Sequence, residues 1–159
     1  MNHPNSVLKF SLGLNGMSFD LDNQPIHLEQ GLVFINSKSI SNGVIDELAI
    51  EKMIYFIEEI IESQPLRNLN INGIAVTADT TMTQLSELFF SAKKQISRIE
   101  LENGFNSFIE RLSYYTNQVD PNQLYIFTYF VFIREMMHHL RVEQIQIIYE
   151  MISQPDNSS

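Results

Sequence analysis

Residues 7–22 constrain the fold more tightly than any other part of the chain. Leu8, Phe10, Leu12 and Leu14 alternate with Lys9, Ser11 and Gly13; Asn15-Gly16 comes next; Met17, Phe19 and Leu21 then alternate with Ser18, Asp20 and Asp22. A period of two is that of a strand with one buried face. Asn-Gly accepts positive φ at both central positions, as a two-residue type I′ turn requires. The pattern predicts a hairpin reversing at Asn15-Gly16, with Leu14 opposite Met17, Leu12 opposite Phe19 and Phe10 opposite Leu21. The other face then pairs Gly13 with Ser18, Ser11 with Asp20 and Lys9 with Asp22. A one-residue slip would turn every apolar side chain to water, so the buried face is strongly specified.

Asn23-Gln24-Pro25 turns the chain into a third strand over residues 26–29, with Ile26 and Leu28 inward and His27 and Glu29 outward. Gly31 is expected to mark a bulge before a further apolar run at 32–35. The polar residues 36–42 read as a loop in which Ser41 or Asn42 caps the next helix. From Val44 to about residue 63 the period becomes helical: Ile45, Leu48, Ala49, Met53, Phe56, Ile57 and Ile60 share one face, and Pro65 ends it. Around Asn72-Gly73 a second, shorter hairpin is expected, pairing Ile71 with Ile74 and Leu69 with Val76; one strand through the same residues is the alternative.

Thr81 to Gln84 has capping-box spacing. Met82, Leu85, Phe89, Ala92 and Ile96 extend a helix behind it to about residue 103, with Gly104 as a stop or hinge. Phe105, Phe108, Ile109 and Leu112 mark another helix. Asp120-Pro121 starts a last one, running to about residue 153 with a break near 141–143 and closed by Pro155. The expected architecture is one α+β domain over residues 1–153, an N-terminal antiparallel β-meander packed against four to five helices, with 154–159 a polar tail.

Charge and composition exclude several functions. Lys plus Arg number 10 against 19 acidic residues, for a net charge of −9. The densest cationic cluster is Lys93, Lys94 and Arg98, too little for a phosphate backbone, so no nucleic-acid partner is expected. An anionic membrane would be repelled and a basic protein surface attracted. There is no cysteine, which removes thiolate chemistry and fits a reducing compartment. The start of the chain carries no signal-peptide pattern, and the longest apolar stretch, 124–133, is too short to span a bilayer. The cytoplasm is the expected location.

Glu47, Glu51, Glu58 and Glu62 fall within an arc of about 60° opposite the apolar face of their helix, with Tyr55 beside them. They are the expected binding residues, a strip for a basic partner. Glu135-Met136-Met137-His138 has the Glu-x-x-His spacing of di-iron helices, but such a site needs two of these motifs and only one is present. His138 and His139 point about 100° apart on a helix, so at most one serves any single ion. No metal or cofactor is expected. Tyr125, Phe127, Tyr129, Phe130 and Phe132 surround their helix on all sides, the mark of a central helix or of a dimer interface. No phosphate loop, nucleophile elbow or H-E-x-x-H motif occurs.

These features favour a non-catalytic cytoplasmic protein-binding domain, of chaperone, adaptor or immunity type, working through the acidic helix face. The alternative is a small-molecule-binding domain or enzyme with a pocket between sheet and helices, for which His27, Asp79 and His138 are the groups to examine. A structural homodimer is a third reading.

Overall fold

The computed structural model describes residues 7–63 and 66–149. The expected tail at 154–159, Pro65 and Pro155 lie outside them. The chain is α+β. Six strands, β1 (Val7–Leu12), β2 (Met17–Leu21), β3 (Gln24–Leu28), β4 (Gly73–Thr77), β5 (Gln95–Ser97) and β6 (Val142–Ile147), form one sheet in the order β3-β2-β1-β4-β6-β5. β1, β2 and β3 make the expected antiparallel meander. β4 lies parallel to both β1 and β6, and β5 is antiparallel to β6. Among the described residues there are six helices: α1 (Leu32–Ser39), α2 (Glu47–Ile61), α3 (Thr80–Phe89), α4 (Arg98–Glu110), α5 (Leu112–Thr116) and α6 (Tyr125–His139).

The faces of the hairpin are as expected except at Leu14, which lies exposed in the turn, and the register is not as expected. Leu8, Phe10, Leu12, Met17, Phe19 and Leu21 are all buried, but Lys9 pairs with Asp20, Phe10 with Phe19 and Leu12 with Met17. The shift is two residues, which keeps every side chain on its own face. Residues 13–16 form a wider turn, closed by Gly13 N–H donating to the Gly16 carbonyl at 2.8 Å, and neither Asn15 nor Gly16 adopts positive φ.

Helix α1 explains this. The Gly13 and Leu14 carbonyls accept from Leu32 N and Val33 N at 3.0 Å each, so the turn caps the helix and satisfies two of its free N–H groups. Gly31 makes that approach possible, since a Cβ there would stand 2.5–2.6 Å from the Leu14 and Gly13 carbonyl oxygens and Gly16 N. The type I′ geometry occurs instead at Asp22-Asn23, with φ of 56° and 61°, between β2 and β3.

Further expectations are corrected. Residues 32–35 are helical rather than a strand, because docking against the hairpin turn and α6 outweighs the β-propensity of a short apolar run. Asn72-Gly73 makes no hairpin: both edges of β4 are taken, by β1 and β6, and Ile71 N is bonded to the Leu140 carbonyl at 2.8 Å. The long helix expected to 103 stops at Phe89, where Ser91 and Ala92 take positive φ and β5 joins the sheet. Gly104 sits inside α4 rather than ending a helix, facing the Phe90 ring; a Cβ there would lie 2.6 Å from Cε1. Finally, the last helix ends at His139, Arg141 turns at φ 58°, and residues 142–147 return as an interior strand.

Local capping shows the same influence of context. Asp46 accepts from Ala49 N at 2.9 Å to start α2, and the capping box belongs to Ser97 and Glu100 at α4, not to Thr81 and Gln84.

Helix α6 is the centre of the molecule. Residues 126–133 are buried without exception, and α1, α2, α3 and α4 all pack on it. Phe132 stacks on Phe19 of the sheet at 6.5 Å, and Phe130 meets the rings of Phe89, Phe90, Phe105 and Phe108 at 4.7–6.0 Å. The all-round aromatic helix is thus accounted for by the core of one chain. Among the described residues no helix is long and apolar enough to cross a membrane.

Candidate functional site

In a sheet with parallel strands, side chains gather at the carboxyl ends, and the crevice opens where successive connections leave in opposite directions. Here that point lies between β1 and β4. From β1 the chain moves to β2 on one side, and from β4 it moves through α3, β5, α4, α5 and α6 to β6 on the other.

Asp79 stands there, two residues past the end of β4. It holds the N-cap position of α3, yet its side chain caps nothing. Its carboxylate reaches across to β1 instead: Ser11 Oγ donates to Oδ1 at 2.7 Å, and Leu12 N and Tyr129 OH donate to Oδ2 at 2.9 and 2.8 Å. Its own N–H is held by Thr77 Oγ1 at 3.1 Å. One half-buried carboxylate therefore ties together β1, β4 and the central helix. The Tyr129 phenol is fully buried, and its pKa is driven well above the ordinary value of 10.0, first by desolvation, then by the charge and hydrogen bond of Asp79. The phenol is therefore held protonated, as a donor to Asp79. None of the hydrogen-bond partners of Asp79 is a cation.

His27, Asp79 and His138 do not form one site, since they share no partner. His27 lies exposed on β3, 3.5 Å from Ser18 Oγ, and His138 lies 3.5 Å from an Arg98 guanidinium nitrogen. A cleft of about 360 Å³ does open beside His138, between α4 and α6, where Arg98, Glu102, Arg134 and His138 converge. Its Arg134 is committed. Glu102 bonds it at 3.1 and 3.3 Å and Glu135 at 2.7 Å, and the first of these carboxylates is the main influence holding it protonated.

The acidic strip is only partly what the sequence suggests. Glu47, Glu51 and Tyr55 are exposed, and Tyr55 is held against Glu59, whose hydrogen bond raises its pKa. Glu58 and Glu62 instead approach His139 of α6, at 3.4 and 3.7 Å. The strip is therefore not a continuous free ridge.

The fold and site define a class: a mixed-sheet α+β domain with a polar cluster at the carboxyl edge of its central parallel strands. No family model matches the sequence, and no curated protein matches it. The fold is shared with solved Ppx/GppA structures from Aquifex aeolicus. One is described as a PPX-GPPA enzyme (TM-score 0.66, 12% identity), one as the type II variant of a Ppx/GppA phosphatase (0.67, 13%) and one as the family member of that organism (0.62, 13%). Each likeness covers 91% of this chain and 52–54% of the other, so the chain spans about half the length of the structures it matches.

These likenesses overturn the expectation of a non-catalytic protein-binding domain working through its acidic helix. What the chain shares with those structures is the fold. The sequence did contain the signal for Asp79, an acidic residue directly after a strand. It offered no sign that Ser11 and Tyr129 would meet it from 68 and 50 residues away.

Proposed function

We propose that this chain is a small-molecule-binding domain that takes a phosphorylated ligand at the carboxyl edge of β1 and β4, beside Asp79 and Ser11. The observation that carries this reading is the Asp79 carboxylate drawn away from its helix-capping position and shared between β1 and α6. Support comes also from the Ppx/GppA-like fold, the name of whose structures includes a phosphatase. The polar groups supplied here are a carboxylate and hydroxyls, so the ligand enters as its magnesium complex, with oxygen ligands on the cation. The chain spans about half of those structures, and what is proposed for it is binding.

The test is calorimetric titration with pyrophosphate, ATP and phenyl phosphate, each with and without Mg²⁺. Binding of at least one, strengthened by Mg²⁺ and weakened tenfold or more by Asp79→Asn and by Ser11→Ala, is the expected result. If none of the three binds, or if Asp79→Asn binds as tightly as wild type, the assignment fails.

A further inference from the structure

At the other end of the sheet, where α2 crosses the last turn of α6, carboxylates gather on one imidazole. Glu58 Oε2 lies 3.4 Å and Glu135 Oε1 3.5 Å from His139 Nε2, while Glu62 Oε2 lies 3.7 Å from Nδ1. The ligand atoms of Glu58, Glu135 and His139 all fall within 4.8 Å of one another. The Glu135 side chain is 3% exposed, and its second oxygen is held by Arg134 at 2.7 Å, which leaves Oε1 directed at His139.

Three features of this arrangement point to a cation. First, two carboxylate oxygens converge on a single nitrogen, and one N–H proton serves only one of them well. Both separations exceed the roughly 2.7–2.9 Å of a charge-assisted hydrogen bond. Second, ligand atoms bound tetrahedrally at roughly 2.0–2.2 Å stand about 3.3–3.6 Å apart, and 3.4 and 3.5 Å fall in that interval. Third, Glu62 faces the opposite ring nitrogen. At 3.7 Å it is beyond hydrogen-bond length, and a carboxylate that closed on Nδ1–H from that side would leave the Nε2 lone pair for an ion, as in metal-bound histidines.

We propose that Glu58, Glu135 and His139 bind a divalent first-row transition-metal ion, with Glu62 orienting the imidazole from behind. One imidazole and two carboxylates suit zinc or manganese, and fall short of the six to eight oxygens that calcium takes. In the sequence, the pair weighed as ligands is Glu135 and His138, spaced i, i+3, and no metal is expected there. The pair that converges is Glu135 and His139, spaced i, i+4, and the third group comes from α2, 77 residues upstream of Glu135. His138 turns instead toward Arg98. The inference is independent of the proposed ligand site, because none of its residues touches Asp79.

The experiment uses the full chain, stripped with chelator and dialysed, titrated with Zn²⁺ and separately with Mn²⁺ by calorimetry. Co²⁺ absorption spectroscopy then reports the coordination geometry. One ion per chain is expected, with a Co²⁺ spectrum of low coordination number. His139→Gln and Glu58→Gln, both on the partly exposed side of the cluster, should each weaken binding tenfold or more, while His138→Gln leaves it unchanged. Circular dichroism of each variant separates loss of ligation from loss of fold. The proposal is overturned if no ion binds, or if folded His139→Gln and His138→Gln bind metal alike.

Discussion

Replacing Tyr129 by Phe removes one hydroxyl and nothing else from the centre of the molecule. That hydroxyl is fully buried and donates to Asp79 at 2.8 Å. A hydrogen bond to a charged group contributes about 1.5–3 kcal/mol. The lower end applies here, because Asp79 keeps its bonds from Ser11 and Leu12 and is itself partly exposed, so water can reach it. Below pH 10, Tyr129→Phe should therefore lose about 1.5 kcal/mol, which for a chain of this size is about 3–6 °C in Tm.

The pH dependence provides a sharper test. The native phenol ionises well above the ordinary value of 10.0. Above that pH the unfolded chain gives up the proton and the native one keeps it, so the stability due to this group is present below about pH 10 and falls as pH rises beyond it. The slope for one group is about 1.4 kcal/mol per pH unit, and Phe at 129 has no such slope. The two stability curves, measured by urea denaturation from about pH 8 to about pH 11, should converge roughly one unit above pH 10. A gap that stays constant across that range, or one below about 0.5 kcal/mol at neutral pH, would refute the reasoning.

Other perturbations test the packing. Gly31→Ala places a Cβ within 2.6 Å of three backbone atoms of the hairpin turn, and should cost about 2–4 kcal/mol in chemical denaturation by overpacking and by loosening the cap on α1. Phe130→Ala empties the middle of the aromatic cluster and should cost about 3–5 kcal/mol by the same measurement. Ser97→Ala removes the capping box of α4 and should cost about 1 kcal/mol, with the CD spectrum unchanged. Deleting residues 141–159 strips β4 and β5 of their shared neighbour, and the expected outcome is a chain with no cooperative urea transition.

The sequence by itself determined which face of β1 and β2 is buried, though it also placed Leu14 there, which lies exposed in the turn. It also determined that the chain is α+β and that the helix holding Tyr129, Phe130 and Phe132 has no wet face, leaving a core and a dimer interface as the two places for it. These come from local periodicity, and a period of two or a helix apolar on every side survives any rearrangement that keeps faces intact. Two further elements carry fainter local signals: Ile145 and Ile147 alternate with Gln144 and Gln146 as a strand would, and Ser97 and Glu100 have the spacing of the capping box that forms.

Tertiary structure decided the rest. Asn15-Gly16 is able to make a type I′ turn and does not, because the carbonyls of that turn are needed by the N–H groups of α1. Residues 142–147 become a strand because β4 and β5 each offer an edge that only they fill. Both candidate sites lie beyond what periodicity encodes. Ser11, Asp79 and Tyr129 meet where the ends of the parallel strands β1 and β4 face α6, and Glu58, Glu135 and His139 meet at a helix crossing. Periodicity specifies which face of an element is wet, whereas a site depends on which two wet edges the packing of α6 brings within hydrogen-bonding reach.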